Sequence, residues 1–173
     1  MGWNRSGLYE VWRIPMAGGT PEQLTTTGGR DATSPDDGTT LYYVDGASDP
    51  KVQEYKGSAN DRLYKQVLGH APEHMLVFEG NSREPSISKD GKRLRFTREV
   101  DGSFELFVCD TEKNTCEQLT KLGEDGLSNV SFSADENTVV FIWKFYVYSL
   151  DLKTSGAKPK LLKIEIREDS RGE

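Results

Sequence analysis

The stretch Ser34–Tyr43, SPDDGTTLYY, is echoed twice further along the chain, by SKDGKRLRF from Ser88 and by SADENTVVF from Ser133. Asp37, Asp90 and Asp135 each stand four residues before an apolar position, namely Leu41, Leu94 and Val139. Glycine follows the first two at once, as Gly38 and Gly91. An aspartate in such a place bonds its own backbone, and glycine accepts the positive φ that a tight hairpin demands. Beyond the turn the residues alternate. Leu94 and Phe96 point one way and Arg93, Arg95 and Thr97 the other, which is the period of a β-strand.

A second phrase answers the first. VWRIPMAGGTPEQLT from Val11 and LFVCDTEKNTCEQLT from Leu106 end identically, and Val11–Leu24 spans the same distance as Leu106–Leu119. LYKQVLGHAPEHML from Leu63 and VYSLDLKTSGAKPKLL from Val147 are looser copies. Each copy reads strand, polar turn, strand. A helix over the Leu63 copy is excluded by Gly69 and Pro72, which break it within the span a helix needs. Alternating the two phrases gives four-stranded units at the period of β-propeller blades.

The sequence therefore predicts an all-β fold, a partial β-propeller of about three and a half four-stranded antiparallel blades. Residues 1–28 supply an outer half-blade, with strands near Tyr9–Pro15 and Glu22–Thr25. Residues 29–80 form a blade, with strands near Ala32–Ser34, Leu41–Val44, Leu63–Leu68 and Met75–Phe78. Residues 81–122 form the next, near Pro85–Ser88, Leu94–Thr97, Glu105–Cys109 and Glu117–Thr120. Residues 123–173 form a third with a C-terminal tail, near Asn129–Ser133, Val139–Ile142, Tyr146–Leu150 and Lys160–Ile164. An open fan leaves apolar end faces in water, so remaining blades or a second copy are expected to cover them.

Composition narrows the partners. The chain has 173 residues, 28 acidic and 22 basic, for a net charge of -6. That balance argues against nucleic acid and against an anionic membrane. No apolar run is long enough to insert as a membrane-spanning helix. The opening MGWNRSG lacks the basic start and apolar middle of a signal peptide.

The repeats resemble the WD-like propeller repeats of TolB-type proteins and of tricorn-type peptidases. RSGLYEVWRIPMAGGTPEQLT at the start, EPSISKDGKRLRFTRE in the middle and YSLDLKTSGAKPKLLKIEIRED at the end carry the likeness. The segment EYKGSAND is most similar to the tricorn-type version, and KIEIRED is similar to the point where such a propeller hands over to the next domain. The resemblance implies a non-catalytic propeller segment that gates or guides peptides toward a peptidase domain not contained here. Its alternatives are a TolB-type protein-interaction module unconnected to proteolysis and a self-associating half-propeller. Three departures stand out: the first strand pair is replaced by Met1, Glu136 occupies a glycine position, and FIWKFYVY joins two strands with no turn-forming residue.

Catalytic signatures do not emerge. His70 and His74 sit four apart, but Gly69 and Pro72 place them in a turn, with no metal-binding context. Asp36 and Asp37 are adjacent turn residues, and no serine lies in a nucleophile elbow. The sequence predicts no catalytic residues, no metal and no cofactor. The longest irregular segment runs from Asp45 to Asp61, and its Lys51, Tyr55 and Lys56 are the candidate contacts for a peptide or protein. Cys109 and Cys116 flank DTEKNT in an expected hairpin and face each other across it, as a disulfide or as two free thiols depending on the pairing type. A bridge would imply an oxidising compartment, periplasmic or extracellular rather than cytoplasmic. Trp12 and Trp143 are read as packing residues between blades.

Overall fold

The computed structural model describes residues 2–3, 9–46, 60–74 and 81–165, with backbone alone at residues 2, 3 and 74. Among the described residues fifteen strands form four antiparallel sheets, each a meander in chain order. The first holds β1 (Gly2–Trp3), β2 (Glu10–Arg13) and β3 (Glu22–Gln23); the second holds β4 (Arg30–Thr33), β5 (Thr40–Asp45), β6 (Arg62–Val67) and β7 (Glu73–His74). The third is built from β8 (Ser82–Ile87), β9 (Arg93–Val100), β10 (Ser103–Asp110) and β11 (Thr115–Gln118). The fourth is built from β12 (Leu127–Phe132), β13 (Thr138–Trp143), β14 (Tyr146–Asp151) and β15 (Lys160–Leu161). The chain divides into two compact units, Met1–Leu127 and Ser128–Glu173.

One expectation needs correction. The first sheet has three strands rather than two, because Gly2 pairs with Val11 and Trp3 with Glu10. A two-residue strand shows no period, so the sequence pattern passed over it. The strand expected near Met75–Phe78 lies outside the described residues, and the outer strand of its sheet is seen at Glu73–His74.

The quoted turns form by side-chain bonding. Asp37 Oδ1 accepts the N–H groups of Thr39 and Thr40, both at 2.8 Å. Asp90 and Asp135 each accept a serine hydroxyl, Ser88 at 2.5 Å and Ser133 at 2.6 Å, and a backbone N–H two residues on. Gly38, Gly91 and Glu136 occupy the same left-handed position at φ 65°, 73° and 60°. Glu136 thus keeps the geometry that glycine takes in the other two turns. At the outer end of the Leu63 copy a turn closes with His70 N–H donating to Val67 O at 2.9 Å.

In the first unit the core lies between sheets. Tyr42, Val44 and Leu63 pack against Ile87, Leu94, Phe96, Phe107 and Cys109, whereas Leu41 and Tyr43 turn the other way, toward Val11. The run Leu41–Val44 is therefore buried on both faces, the signature of a sheet with a neighbour on each side. Trp12 lines a cavity of about 260 Å³ with Leu24, Ala32 and Leu41. In the second unit Val139, Phe141 and Leu150 share the buried face of their sheet, and Trp143 rests 5.2 Å from the Tyr148 ring.

The matching Gln-Leu-Thr endings have a shared cause. Thr25 Oγ1 accepts Val11 N–H at 2.9 Å and donates to Glu10 Oε2 at 2.6 Å. Thr120 Oγ1 repeats this with Leu106 N–H at 2.9 Å and Glu105 Oε2 at 2.6 Å. Gln23 and Gln118 each donate from Nε2 to the carbonyl of that threonine, at 2.8 and 2.7 Å. Both glutamates and both threonines are buried. Strand pairing alone leaves one N–H of β2 and one of β10 unmet, and the threonine supplies its acceptor.

Candidate binding site

The long connection between β5 and β6 is rooted in a buried ion cluster. Asp61, the residue before β6, is wholly buried. Its Oδ2 accepts Arg83 Nε at 2.6 Å, and its Oδ1 faces Arg30 Nη2 at 2.6 Å as an ion pair. Two arginines are what an isolated buried carboxylate requires, since desolvating it unpaired costs several kcal/mol, on the order of the whole net stability of a small domain. Burial by itself would lower the Arg30 pKa; the Asp61 and Asp31 carboxylates outweigh it and hold that pKa above its ordinary value.

The backbone is tied down as well. Asp61 N–H donates to Asn81 Oδ1 at 3.0 Å, and Ser82 N–H donates to Asp61 O at 3.0 Å. Asn81 Nδ2 in turn reaches Glu99 Oε2 at 2.6 Å. Across the root, a Cβ on Gly46 would lie 2.5 Å from Asp61 Oδ1 and 2.7 Å from Asn60 O, so only glycine fits. Both ends of the connection are thereby held together and fastened to the next sheet. Lys51, Tyr55 and Lys56 lie outside the described residues; what the structure places is the root that carries them.

Beside the root, β4 and β8 carry matching kinks. Asp31 and Glu84 adopt φ 51° and 52° where the ladder slips between Arg30 and Thr33 and between Arg83 and Ser86. Each follows the arginine that reaches Asp61. Asn129 of β12 has the same conformation at φ 55°. A bulge re-aims side chains, and left-handed acidic residues are uncommon enough to signal a built feature. The sequence carries a signal for these residues in its spacing: Asp31, Glu84 and Asn129 each precede the turn aspartate of their phrase by six positions.

A cavity of about 450 Å³ beside the β9–β10 turn is lined by Asp101, Ser103, Glu105, Gln118 and Lys121. Its carboxylate is already saturated: Glu105 Oε1 accepts Leu122 and Gly123 N–H at 2.7 and 2.9 Å, and Oε2 accepts Thr120. Such a group holds a loop rather than moving protons. Among the described residues no group of three His, Cys, Asp or Glu is placed to hold a metal ion.

Cys109 and Cys116 form a disulfide. They are opposite in the β10–β11 ladder, and Leu119 N–H donating to Leu106 O makes theirs a non-hydrogen-bonded pair, the closer of the two pairing types. The bridge is compatible with an oxidising compartment.

No protein-family model matches the chain, and a search of curated proteins finds no match. Solved structures do match. TolB from Acinetobacter baumannii superposes with a TM-score of 0.72 at 17% identity, covering 91% of this chain and 39% of that one. A putative TolB from Agrobacterium tumefaciens gives 0.71 at 16% identity, covering 90% and 57%. The β-propeller domain of the Trilobed protease from Pyrococcus furiosus gives 0.54 at 17% identity, covering 78% and 42%. The chain thus spans less than two thirds of each. At these identities the likeness establishes the fold: the chain is a partial β-propeller of the kind seen in TolB and in that protease's propeller domain.

Proposed function

We propose that this chain is a non-catalytic propeller segment that binds a peptide or a protein partner through its long β5–β6 connection. The observation that carries the reading is the root of that connection, where Arg30, Arg83 and Asn81 fasten Asp61 at its end. A loop on a fixed base loses less freedom on binding than one free at both ends. Lys51 and Lys56 supply charge for a carboxylate, and Tyr55 supplies a ring that anchors without much entropy loss. In the peptidase version of this role the segment guides peptides toward a catalytic domain; the Trilobed protease propeller supports it. The higher TM-scores of the two TolB structures favour the second version, a protein-interaction module with no protease. The disulfide supports a periplasmic or extracellular setting for both.

The test is binding of a panel of acidic and carboxyl-terminal peptides by fluorescence anisotropy, with product analysis on the same samples. Binding without turnover is expected, weakened about tenfold, or about 1.4 kcal/mol, in Lys51→Glu/Lys56→Glu and in Tyr55→Ala. Clear turnover by the purified chain, or variants that bind as the parent does, would overturn the reading.

A further inference from the structure

The β13–β14 hairpin is closed by two residues, Lys144 and Phe145, at φ 48° and 67°. Trp143 and Tyr146 pair on either side of them. This is a two-residue turn with both central positions left-handed, where asparagine and glycine are the ordinary occupants. Lysine and phenylalanine gain nothing from the backbone there. Packing does not explain the choice either, since Phe145 is 95% exposed and Tyr146 62%. Outliers of this sort concentrate at functional positions.

The base of the tip is braced. The Trp143 ring meets Tyr148, Tyr148 stacks on Phe141, and the Lys144 ammonium stands 5.1 Å from the centre of the Trp143 ring. Phe145 therefore projects from a preformed platform, and a preformed anchor binds without the cost of ordering itself. Beside it, Leu161 of the outer strand β15 and Ile164, three residues beyond, are also exposed, at 51% and 69%. Leu162 N–H donating to Val147 O carries that pairing toward the tip.

Charge marks the partner. Three lysines belong to the tip and the strand beside it, Lys144, Lys160 and Lys163, with Glu165 as the one acid from Lys160 to Glu165, although acidic residues outnumber basic ones 28 to 22 overall. We infer that the tip and the adjoining strand dock an extended acidic protein segment, whose apolar side chains meet Phe145 and Tyr146 and whose carboxylates meet Lys144, Lys160 and Lys163. An anionic bilayer also suits the lysines, but its extended charge meets the whole chain's net charge of -6, whereas a short acidic segment meets only this surface and the rest is screened. None of these residues belongs to the β5–β6 connection, and the inference holds whether or not that connection binds.

A labelled peptide alternating glutamate with leucine and phenylalanine is the probe, with its lysine counterpart as control. The acidic peptide is expected to bind, more weakly as salt rises, and the basic one to fail. Phe145→Ala should weaken binding at least about tenfold with thermal stability unchanged. Lys144→Asn/Phe145→Gly should raise the melting temperature and yet lose binding, a split that a merely structural turn cannot produce. Equal binding by the parent and Phe145→Ala overturns the inference. So does Phe145-dependent binding to phosphatidylserine vesicles without peptide binding, or a Phe145-dependent dimer in light scattering in its place.

Discussion

Thr120→Val is the sharpest probe of the paired glutamate–threonine arrangement. Valine keeps the shape of threonine and puts a methyl where the hydroxyl was. Two buried interactions go at once: Leu106 N–H loses its acceptor at 2.9 Å, and Glu105 loses a donor at 2.6 Å. A buried N–H left unmet costs about 1–3 kcal/mol, and a hydrogen bond to a charged group contributes about 1.5–3 kcal/mol net. The two losses share one atom and do not add fully, while the extra methyl returns up to about 0.8 kcal/mol. The expected loss is about 3 kcal/mol, roughly a hundredfold in the folded-to-unfolded ratio. Urea denaturation gives the total, and amide exchange at Leu106 localises it, since that proton should lose protection in the variant. Thr120→Ser keeps the hydroxyl and should restore most of the difference. Thr25→Val removes the same pair from the first sheet and should act in the same direction. A Thr120→Val variant within about 0.5 kcal/mol of the parent, the scatter of neutral surface changes, with Leu106 still protected, would refute the assignment.

Two further outcomes follow from the turns and the bridge. Hydrogen bonds from Asn137 and Ser133 draw Asp135 down to about 2, and Asp37, Asp90, Asp110 and Asp151 are lowered through bonds from Thr40, Ser88, Lys113 and Lys153. Folded-state values below the unfolded ones mean that the stability these carboxylates lend is complete above about pH 4 and is lost as pH falls toward 2; thermal melts from pH 7 to pH 2 should show this, and Asp135→Asn should flatten part of the acid limb. Cys109 and Cys116, seven apart in sequence, close a short loop, so Cys109→Ser/Cys116→Ser, or reduction, should cost about 2–3 kcal/mol in denaturation.

How much of this was legible depends on the length of each pattern. The aspartate turns are local, repeated and chemically explicit, so the residues from Ser88 to Phe96 read as turn and strand by themselves. The pairing type of Cys109 and Cys116 does not, because it depends on which residues of β10 and β11 exchange bonds. β1 escaped because two residues carry no period. Glu10 and Glu105 were harder still: each reads as an ordinary polar strand residue, and only the register across the hairpin brings its carboxylate to a threonine 15 residues away. Asp61 gave no warning either, since its two arginines come from other strands, 31 residues before it and 22 after.

The strands themselves record how many neighbours a sheet has. In β5 the run Leu41, Tyr42, Tyr43, Val44 is apolar without alternation, and all four are buried because Leu41 and Tyr43 meet one sheet while Tyr42 and Val44 meet another. β13 likewise runs apolar without alternation through Val139, Val140, Phe141 and Ile142, but there burial alternates: Val139 and Phe141 are closed off, and Val140 and Ile142 remain half-exposed. A half-buried face normally alternates apolar with polar residues. An apolar face left half open is a sequence suited to a covering element, and burying it would recover about 25 cal/mol for each Å² removed from water. The Phe145 tip differs, because it lies beyond the ladder and not on a sheet face. A neighbouring sheet would account for Val140 and Ile142 by the same packing that buries Leu41 and Tyr43, but it would leave the exposed ring at the strained turn still to be explained, and a partner of different chemistry explains that ring.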